Sequence, residues 1–162
     1  MQKAINKGFT LIELLVVIAI IGILASIVLV SLGNARQNGA DAGIKGNLDS
    51  IRTQSEIFAS TNSNSYGVQA TTSALGTPTD CSAATAGMFT DATIKTAVQN
   101  AEAQAPATTL FGATGRKSVC GSAANYWAIA VPLSGGASAW CVDSAGRAKA
   151  LTTLTGTFQG CI

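Results

Sequence analysis

The first long apolar stretch of the chain is a run of 24 residues from Phe9 to Leu32, uncharged except for one carboxylate, Glu13. As a helix, a run of that length is about 36 Å long, enough to cross a hydrocarbon core of about 30 Å. Strands of this length are rare, and the residues are apolar on every side of a helix rather than on one stripe. We therefore predict a membrane-spanning helix at residues 9–33.

Residues 34–60 are more polar but keep one apolar helical face. The face consists of residues at spacings of four, three and seven, namely Ile44, Leu48, Ile51 and Phe58. This pattern predicts that the same helix continues as an amphipathic half and lays its apolar face on a sheet. Three glycines weaken the helix here and would allow a kink, at Gly39, Gly43 and Gly46.

The remaining residues, 61–162, predict a globular head. A connection rich in Ser, Thr, Asn and Gly comes first. Apolar residues at helical spacing then predict a short second helix at about 91–105, with Thr90 or Asp91 as its N-cap and Pro106 marking its end.

The last third of the chain is typical of an antiparallel sheet. Predicted strands at 126–131 and 137–142 flank Ser134-Gly135-Gly136, a hairpin signature. A second turn signal at residues 143–146 leads into a third strand at 147–151. The predicted fold is therefore α+β, with a long N-terminal helix packed on a small C-terminal antiparallel sheet.

Four cysteines lie beyond the apolar run, at Cys81, Cys120, Cys141 and Cys161. An even number with no Cys-x-x-Cys pair favours two disulfides in an oxidising compartment over four free thiols. In the predicted hairpin, Cys141 lies opposite roughly residues 127–129 and Cys120 lies beyond that pair, which disfavours a bond between these two. Of the three possible connectivities we favour Cys81–Cys120 with Cys141–Cys161.

Charge and composition argue against several functional classes. Two of the ten basic residues, Lys3 and Lys7, precede Phe9, so beyond residue 8 eight basic residues balance eight acidic ones. This balance, without a basic stripe, predicts no specific nucleic-acid interface. The chain has no histidine and shows no nucleophile–base pair or phosphate loop, so we predict no catalytic residues and no cofactor. We interpret Asp143 as a turn residue rather than a calcium ligand, because no acids neighbour it, and predict no metal site.

Glu13 is the feature that a simple reading of the apolar run leaves unexplained. A charge at the centre of a membrane helix costs about 2.5–3.5 kcal/mol on insertion scales. A secretory signal peptide would have a shorter apolar core followed by a small-residue cleavage site. A plain single-span anchor explains everything except Glu13 and the residues before Phe9.

A resemblance to a known family accounts for both. The stretch Lys7-Gly8-Phe9-Thr10-Leu11-Ile12-Glu13-Leu14 resembles the leader and cleavage motif of type IV pilins and of type II secretion pseudopilins. The resemblance implies that a prepilin peptidase cuts after Gly8 on the cytoplasmic side, discards residues 1–8 and N-methylates Phe9. Lys3 and Lys7 suit a leader that stays in the cytoplasm.

The resemblance also implies a role for Glu13 as the subunit-assembly carboxylate. The new amine at Phe9 and the carboxylate, four residues apart on one helix, could neutralise each other within a molecule. In the family, the carboxylate instead pairs with the amine of an adjacent subunit. Many pilins carry a proline where this chain has Val30, and their helix loosens before it. Here Gly22 matches the family's glycine but no proline follows, so Gly22 and Gly33 are the candidate break points.

We therefore expect a precursor in the inner membrane that becomes a homo-oligomeric helical filament, an extracellular type IV pilus for adhesion, motility or DNA uptake. Its implied partners are the prepilin peptidase and the assembly platform with its ATPases. The alternatives are a pseudopilin of a type II secretion system and a membrane-anchored binding domain that does not polymerise.

Overall fold

The computed structural model describes residues 9–68, 81–110, 115–152 and 160–162. The chain divides into two compact units, residues 1–36 and 37–162. The predicted leader, residues 1–8, lies outside the described residues, as does part of the predicted connection after the long helix.

The long helix α1 runs over Leu11–Thr61 as one element of 51 residues. It begins two residues later than predicted, because Thr10 caps it and Phe9 precedes the cap. The helix is unbroken at Gly22 and Gly33 in the single chain, so any unwinding at these glycines stays a prediction about the assembled state.

The apolar stripe predicted for the second half of α1 is confirmed. Ile44, Leu48 and Ile51 are fully buried, and Phe58 is half-buried against the same core. The stripe also includes Ser55 and Ala59, two small buried residues that hydrophobic spacing alone does not reveal. This face of α1 forms one wall of the main hydrophobic core.

The second helix, α2, covers Ala92–Gln104 and buries Ile94, Val98 and Ala101. Its N-cap is Asp91, whose carboxylate accepts hydrogen bonds from the backbone N–H groups of Thr93 at 3.0 Å and Ile94 at 3.1 Å. Two single turns of 3₁₀ helix precede α2, at Cys81–Ala83 and Met88–Thr90.

Within the described residues, the sheet has four antiparallel strands rather than the three predicted. In spatial and chain order they are β1 (Val119–Ser122), β2 (Trp127–Pro132), β3 (Ala139–Asp143) and β4 (Ala148–Leu151). The sequence prediction missed β1, a four-residue strand of which two residues are Gly and Ser and all four are buried. Such a strand has neither the alternation nor the β-branched content from which strands are recognised.

The alternation of side chains along β2 separates two cores. Trp127, Ile129 and Val131 face the main core with α1 and α2, whereas Ala128 and Ala130 face a smaller cluster on the other side of the sheet. The head therefore has two buried layers, one between helices and sheet and one behind the sheet.

Polar contacts fix the second half of α1 against the sheet end of the head. The Asp41 carboxylate accepts a hydrogen bond from the backbone N–H of Ser134 at 2.7 Å. The Lys45 ammonium lies 4.7 Å from the centroid of the Trp140 ring, within reach of a cation–π interaction. Gly43 lies against the side-chain amide of Gln104, so a Cβ atom at this position would require that exposed, flexible side chain to shift.

Candidate functional site

The start of α1 is built as a capping box formed by Thr10 and Glu13. The Thr10 backbone N–H donates to Glu13 Oε2 at 2.8 Å, and the Thr10 hydroxyl donates to the same oxygen at 2.9 Å. The Glu13 backbone N–H in turn donates to the Thr10 hydroxyl oxygen at 3.2 Å. This reciprocal arrangement satisfies donors that a helix N-terminus otherwise leaves unpaired.

The carboxylate of Glu13 uses only one of its two oxygens in this box. Among the described residues, Glu13 Oε1 accepts no hydrogen bond, and the side chain is exposed. Phe9 lies outside the helix and is 91% exposed. The expectation that Phe9 and Glu13 share one helical face within a single molecule is therefore wrong for this chain, because the cap starts the helix after Phe9.

The side chains that follow Glu13 are exposed on every side of α1. From Leu14 to Leu32 the large apolar side chains are between 47% and 71% exposed. By length and composition, α1 is a helix that could cross a membrane, and none of its most apolar window is buried within the described chain. Lipid or other protein must cover such a surface, because a helix that is apolar all round is not stable in water.

A comparison with protein families finds this same segment. Residues 3–29 match the family described as the prokaryotic N-terminal methylation motif. The chain carries the class III signal peptide of type IV pilins and pseudopilins. The methylation motif spans Gly8, Phe9, Glu13 and Gly22, whose individual roles stay predictions. No curated protein and no solved structure matches the chain.

Beyond the methylation motif, two disulfides fasten the pilin-like head. The structure joins Cys81 to Cys120 and Cys141 to Cys161, with Cα–Cα distances of 5.8 Å and 5.7 Å. Cys120 belongs to the main core, whereas Cys141 and Cys161 belong to the cluster behind the sheet. The two bonds therefore lie on opposite faces of the sheet. This placement explains why Cys120 and Cys141 do not pair, and the sequence alone did not reveal it.

The register of the hairpin differs slightly from the prediction. Cys141 lies opposite Ala130 rather than residues 127–129, because the hairpin pairs are centred between Gly135 and Gly136. Cys120 lies opposite Ile129 on the other edge of β2. A bond between Cys120 and Cys141 would have to cross both β2 and the plane of the sheet.

Asp143 anchors the turn after β3 and the residues around Cys161. Its Oδ1 accepts from the backbone N–H groups of Ala145 and Arg147, both at 3.0 Å. Its Oδ2 accepts from the Cys161 N–H at 3.0 Å and pairs with the Arg147 guanidinium at 3.1 Å. Both oxygens of this buried carboxylate are thus used by the protein itself, consistent with a turn residue rather than a calcium ligand.

A second buried carboxylate, Glu102 on α2, was missed in the sequence. It accepts from the Ser118 hydroxyl at 2.5 Å and from the Ser82 N–H at 3.2 Å. The Ser118 hydroxyl oxygen accepts in turn from the Cys81 N–H at 2.7 Å. Each disulfide thus has a buried carboxylate that binds the backbone at or beside one of its cysteines.

Thr10 is the functional residue for which a sequence signal existed. Thr10-Leu11-Ile12-Glu13 has the Thr-x-x-Glu spacing of a capping box placed directly before an apolar run.

In the described part of the chain, no group of three or more His, Cys, Asp or Glu side chains is arranged to hold a metal ion.

Proposed function

We propose that this chain is the structural subunit of a type IV pilus. A prepilin peptidase cleaves it between Gly8 and Phe9 and methylates the new amine. An assembly platform and its ATPases then draw the processed subunit from the inner membrane into an extracellular helical filament. The subunit itself has no catalytic role, and its work is mechanical.

The observation that carries this proposal is one carboxylate at the start of α1, followed up to Leu32 by large apolar side chains that are all exposed, within the methylation motif. In lipid, Glu13 needs a counter-ion. Cleavage generates one at Phe9, since an α-amine is largely protonated near neutral pH. The resemblance of this segment to pilins and pseudopilins supports pairing with the amine of a second subunit rather than of the same chain.

Two features of the head favour a surface pilus over a type II secretion pseudopilus. The two disulfides cross-link both faces of the sheet, which suits a protein exposed to shear and proteases outside the cell. Acids in loops of some pseudopilins bind calcium, but Asp143 in its turn already has donors on both oxygens.

The decisive experiment is mass spectrometry of filaments sheared from the cell surface. If the proposal holds, this chain is their main component and begins at N-methyl-Phe9. A processed chain that stays with the inner membrane and is absent from surface filaments would instead support the pseudopilin. A chain that still begins at Met1 and enters no polymer would leave a tethered binding domain.

Replacing Gly8 by leucine is expected to block processing, because the peptidase must accommodate the residue before the cleaved bond. The variant should accumulate as a precursor eight residues longer than the mature chain, which mass spectrometry of membranes will detect. Gly22→Leu is the matched control, since it adds the same side chain to the same segment at a position with open space around it. Normal cleavage of Gly8→Leu would place the processing site elsewhere.

A further inference from the structure

The buried carboxylate of Glu102 lies beside the Cys81–Cys120 disulfide, and the proposed function does not use it. The Ser118 hydroxyl oxygen accepts from the Cys81 N–H at 2.7 Å, so its own proton is free to donate to Glu102 Oε1 at 2.5 Å. The Ser82 N–H donates to the same oxygen at 3.2 Å. Both contacts of Oε1 are accepted hydrogen bonds, as an ionised carboxylate requires. They place a negative charge next to the backbone of Cys81.

Among the residues that the structure describes, no basic side chain forms an ion pair with Glu102. Its two donors are a hydroxyl and a backbone amide, which satisfy hydrogen bonding without cancelling the charge. Glu102 is only 7% exposed, so water and salt screen its charge less than they screen a surface charge.

The Cys141–Cys161 disulfide has different electrostatic surroundings. The carboxylate beside it, Asp143, is paired with the Arg147 guanidinium at 3.1 Å. Lys149 lies opposite Cys141 in the register of β3 and β4, and directly opposite residues project to the same side of a sheet. The negative charge at this disulfide is therefore compensated, whereas the one at Cys81–Cys120 is not.

Reduction of a disulfide by a thiol passes through two anions. The thiolate of the reductant attacks one sulfur and forms a mixed disulfide, while the other sulfur leaves with the electron pair and takes a proton from water. A second reductant molecule then releases the first, so two thiols are oxidised to one disulfide as one cystine is reduced. A neighbouring carboxylate repels both the attacking and the leaving thiolate, and it repels a negatively charged reductant most.

We propose that the Glu102 carboxylate slows the reduction of the Cys81–Cys120 disulfide by anionic thiols. This role goes beyond the proposed function and is the same for a head in a pilus or in a pseudopilus. It depends on charge and not on burial, because all four cysteine side chains are fully buried. The two disulfides should therefore differ in the charge of the thiols that reduce them fastest.

The test uses two small thiols of opposite charge, cysteamine and 2-mercaptoethanesulfonate, on the full processed chain in detergent. Alkylation at timed intervals and peptide mass spectrometry give the reduction rate of each disulfide per unit of thiolate. The preference for cysteamine should be about fivefold greater at Cys81–Cys120 than at Cys141–Cys161. Comparing two disulfides in one molecule cancels the intrinsic reactivity of each thiol. An equal preference at both disulfides would overturn the proposal without any variant.

Glu102→Gln removes the charge, while its amide oxygen can still accept both hydrogen bonds. This variant should lower the preference for cysteamine at Cys81–Cys120 about fivefold and leave that at Cys141–Cys161 unchanged. A loss of stability alone would raise the rates with both thiols together and would not change the preference. A wild-type preference in Glu102→Gln would mean that the carboxylate has only a structural role.

Asp91→Asn is the matched control, because Asp91 is the carboxylate that caps the opposite end of α2. Its oxygen binds the backbone N–H groups of Thr93 and Ile94, away from both disulfides. The substitution removes one negative charge from the same helix and keeps an acceptor for the cap. The preference for cysteamine at Cys81–Cys120 should stay at the wild-type value, and a fall equal to that in Glu102→Gln would assign the effect to net charge instead.

Discussion

Replacing Glu13 by valine is expected to abolish filaments while leaving insertion, cleavage and methylation intact. The substitution replaces an ionisable side chain in the predicted span by an apolar one, so the precursor should enter the membrane at least as well as wild type. In a filament, however, each missing carboxylate would leave a neighbour's amine without a counter-ion, and an unpaired buried charge costs about 3–5 kcal/mol. Such a penalty corresponds to a loss of roughly a hundredfold or more in assembly.

The measurement compares sheared filament yield with the amount of processed subunit in the membrane, both by quantitative mass spectrometry. Glu13→Gln is the informative control, because an amide can still accept from Thr10 but carries no charge. If charge pairing drives assembly, Glu13→Gln should fail nearly as completely as Glu13→Val. A filament yield near wild type from either variant would contradict the pairing role.

The elements that could be predicted from the sequence are those in which a hydrophobic pattern continues over many residues. The apolar run of α1 and the buried stripe of Ile44, Leu48 and Ile51 repeat a period over many residues, so a glycine or serine within them does not hide the helix. The β2–β3 hairpin was similarly visible, because two apolar runs flank a glycine-rich turn.

Short elements and the ends of elements were harder to predict, because they are determined by contacts that leave no local pattern in the sequence. β1 is a strand because it pairs with β2 and is covered on both faces, not because Val119-Cys120-Gly121-Ser122 prefers an extended chain. α1 begins at Leu11 because Thr10 forms a cap, and the Thr-x-x-Glu spacing that indicates this cap lies within the same residues as the cleavage motif.

The buried carboxylates show what sequence reasoning could not supply at the site. Asp143 was correctly interpreted as a turn residue, but its bond to the Cys161 N–H joins positions 18 residues apart and follows from the path of the chain. Glu102 lies in a helix with many polar residues, and only the structure shows that Ser118 and Ser82 reach it.

Replacing Asp143 by alanine is expected to destabilise the head by about 3–5 kcal/mol, the cost typical of breaking a buried charged network. The change would remove the acceptor of three backbone N–H groups, those of Ala145, Arg147 and Cys161. Asp143→Asn, which keeps one oxygen acceptor but loses the second and the charge, should be less damaging. Asp49→Ala is the matched control, since Asp49 is exposed on α1.

Thermal unfolding of the full processed chain in detergent, followed by near-ultraviolet circular dichroism, measures this effect. For a head of this size, Asp143→Ala should lower Tm by roughly 10–20 °C, and Asp49→Ala by a few degrees at most. The ion pair with Arg147 accounts for little of the loss, because that side chain is 50% exposed and surface pairs contribute about 0–1 kcal/mol. Arg147→Ala should therefore be much milder than Asp143→Ala.

A double-mutant cycle with the disulfide makes the prediction sharper. Cys141 and Cys161 close a loop with a sequence separation of 20, and losing such a bond costs about 3 kcal/mol in the chain-entropy description. Asp143 and the disulfide both hold Cys161 in place. Once one of them is removed, removing the other should therefore cost less stability than it does in the wild-type chain. Asp143→Ala combined with serine at both cysteines should therefore cost less than the sum of the separate changes. Strict additivity would mean that the carboxylate stabilises the turn alone, independently of the segment around Cys161.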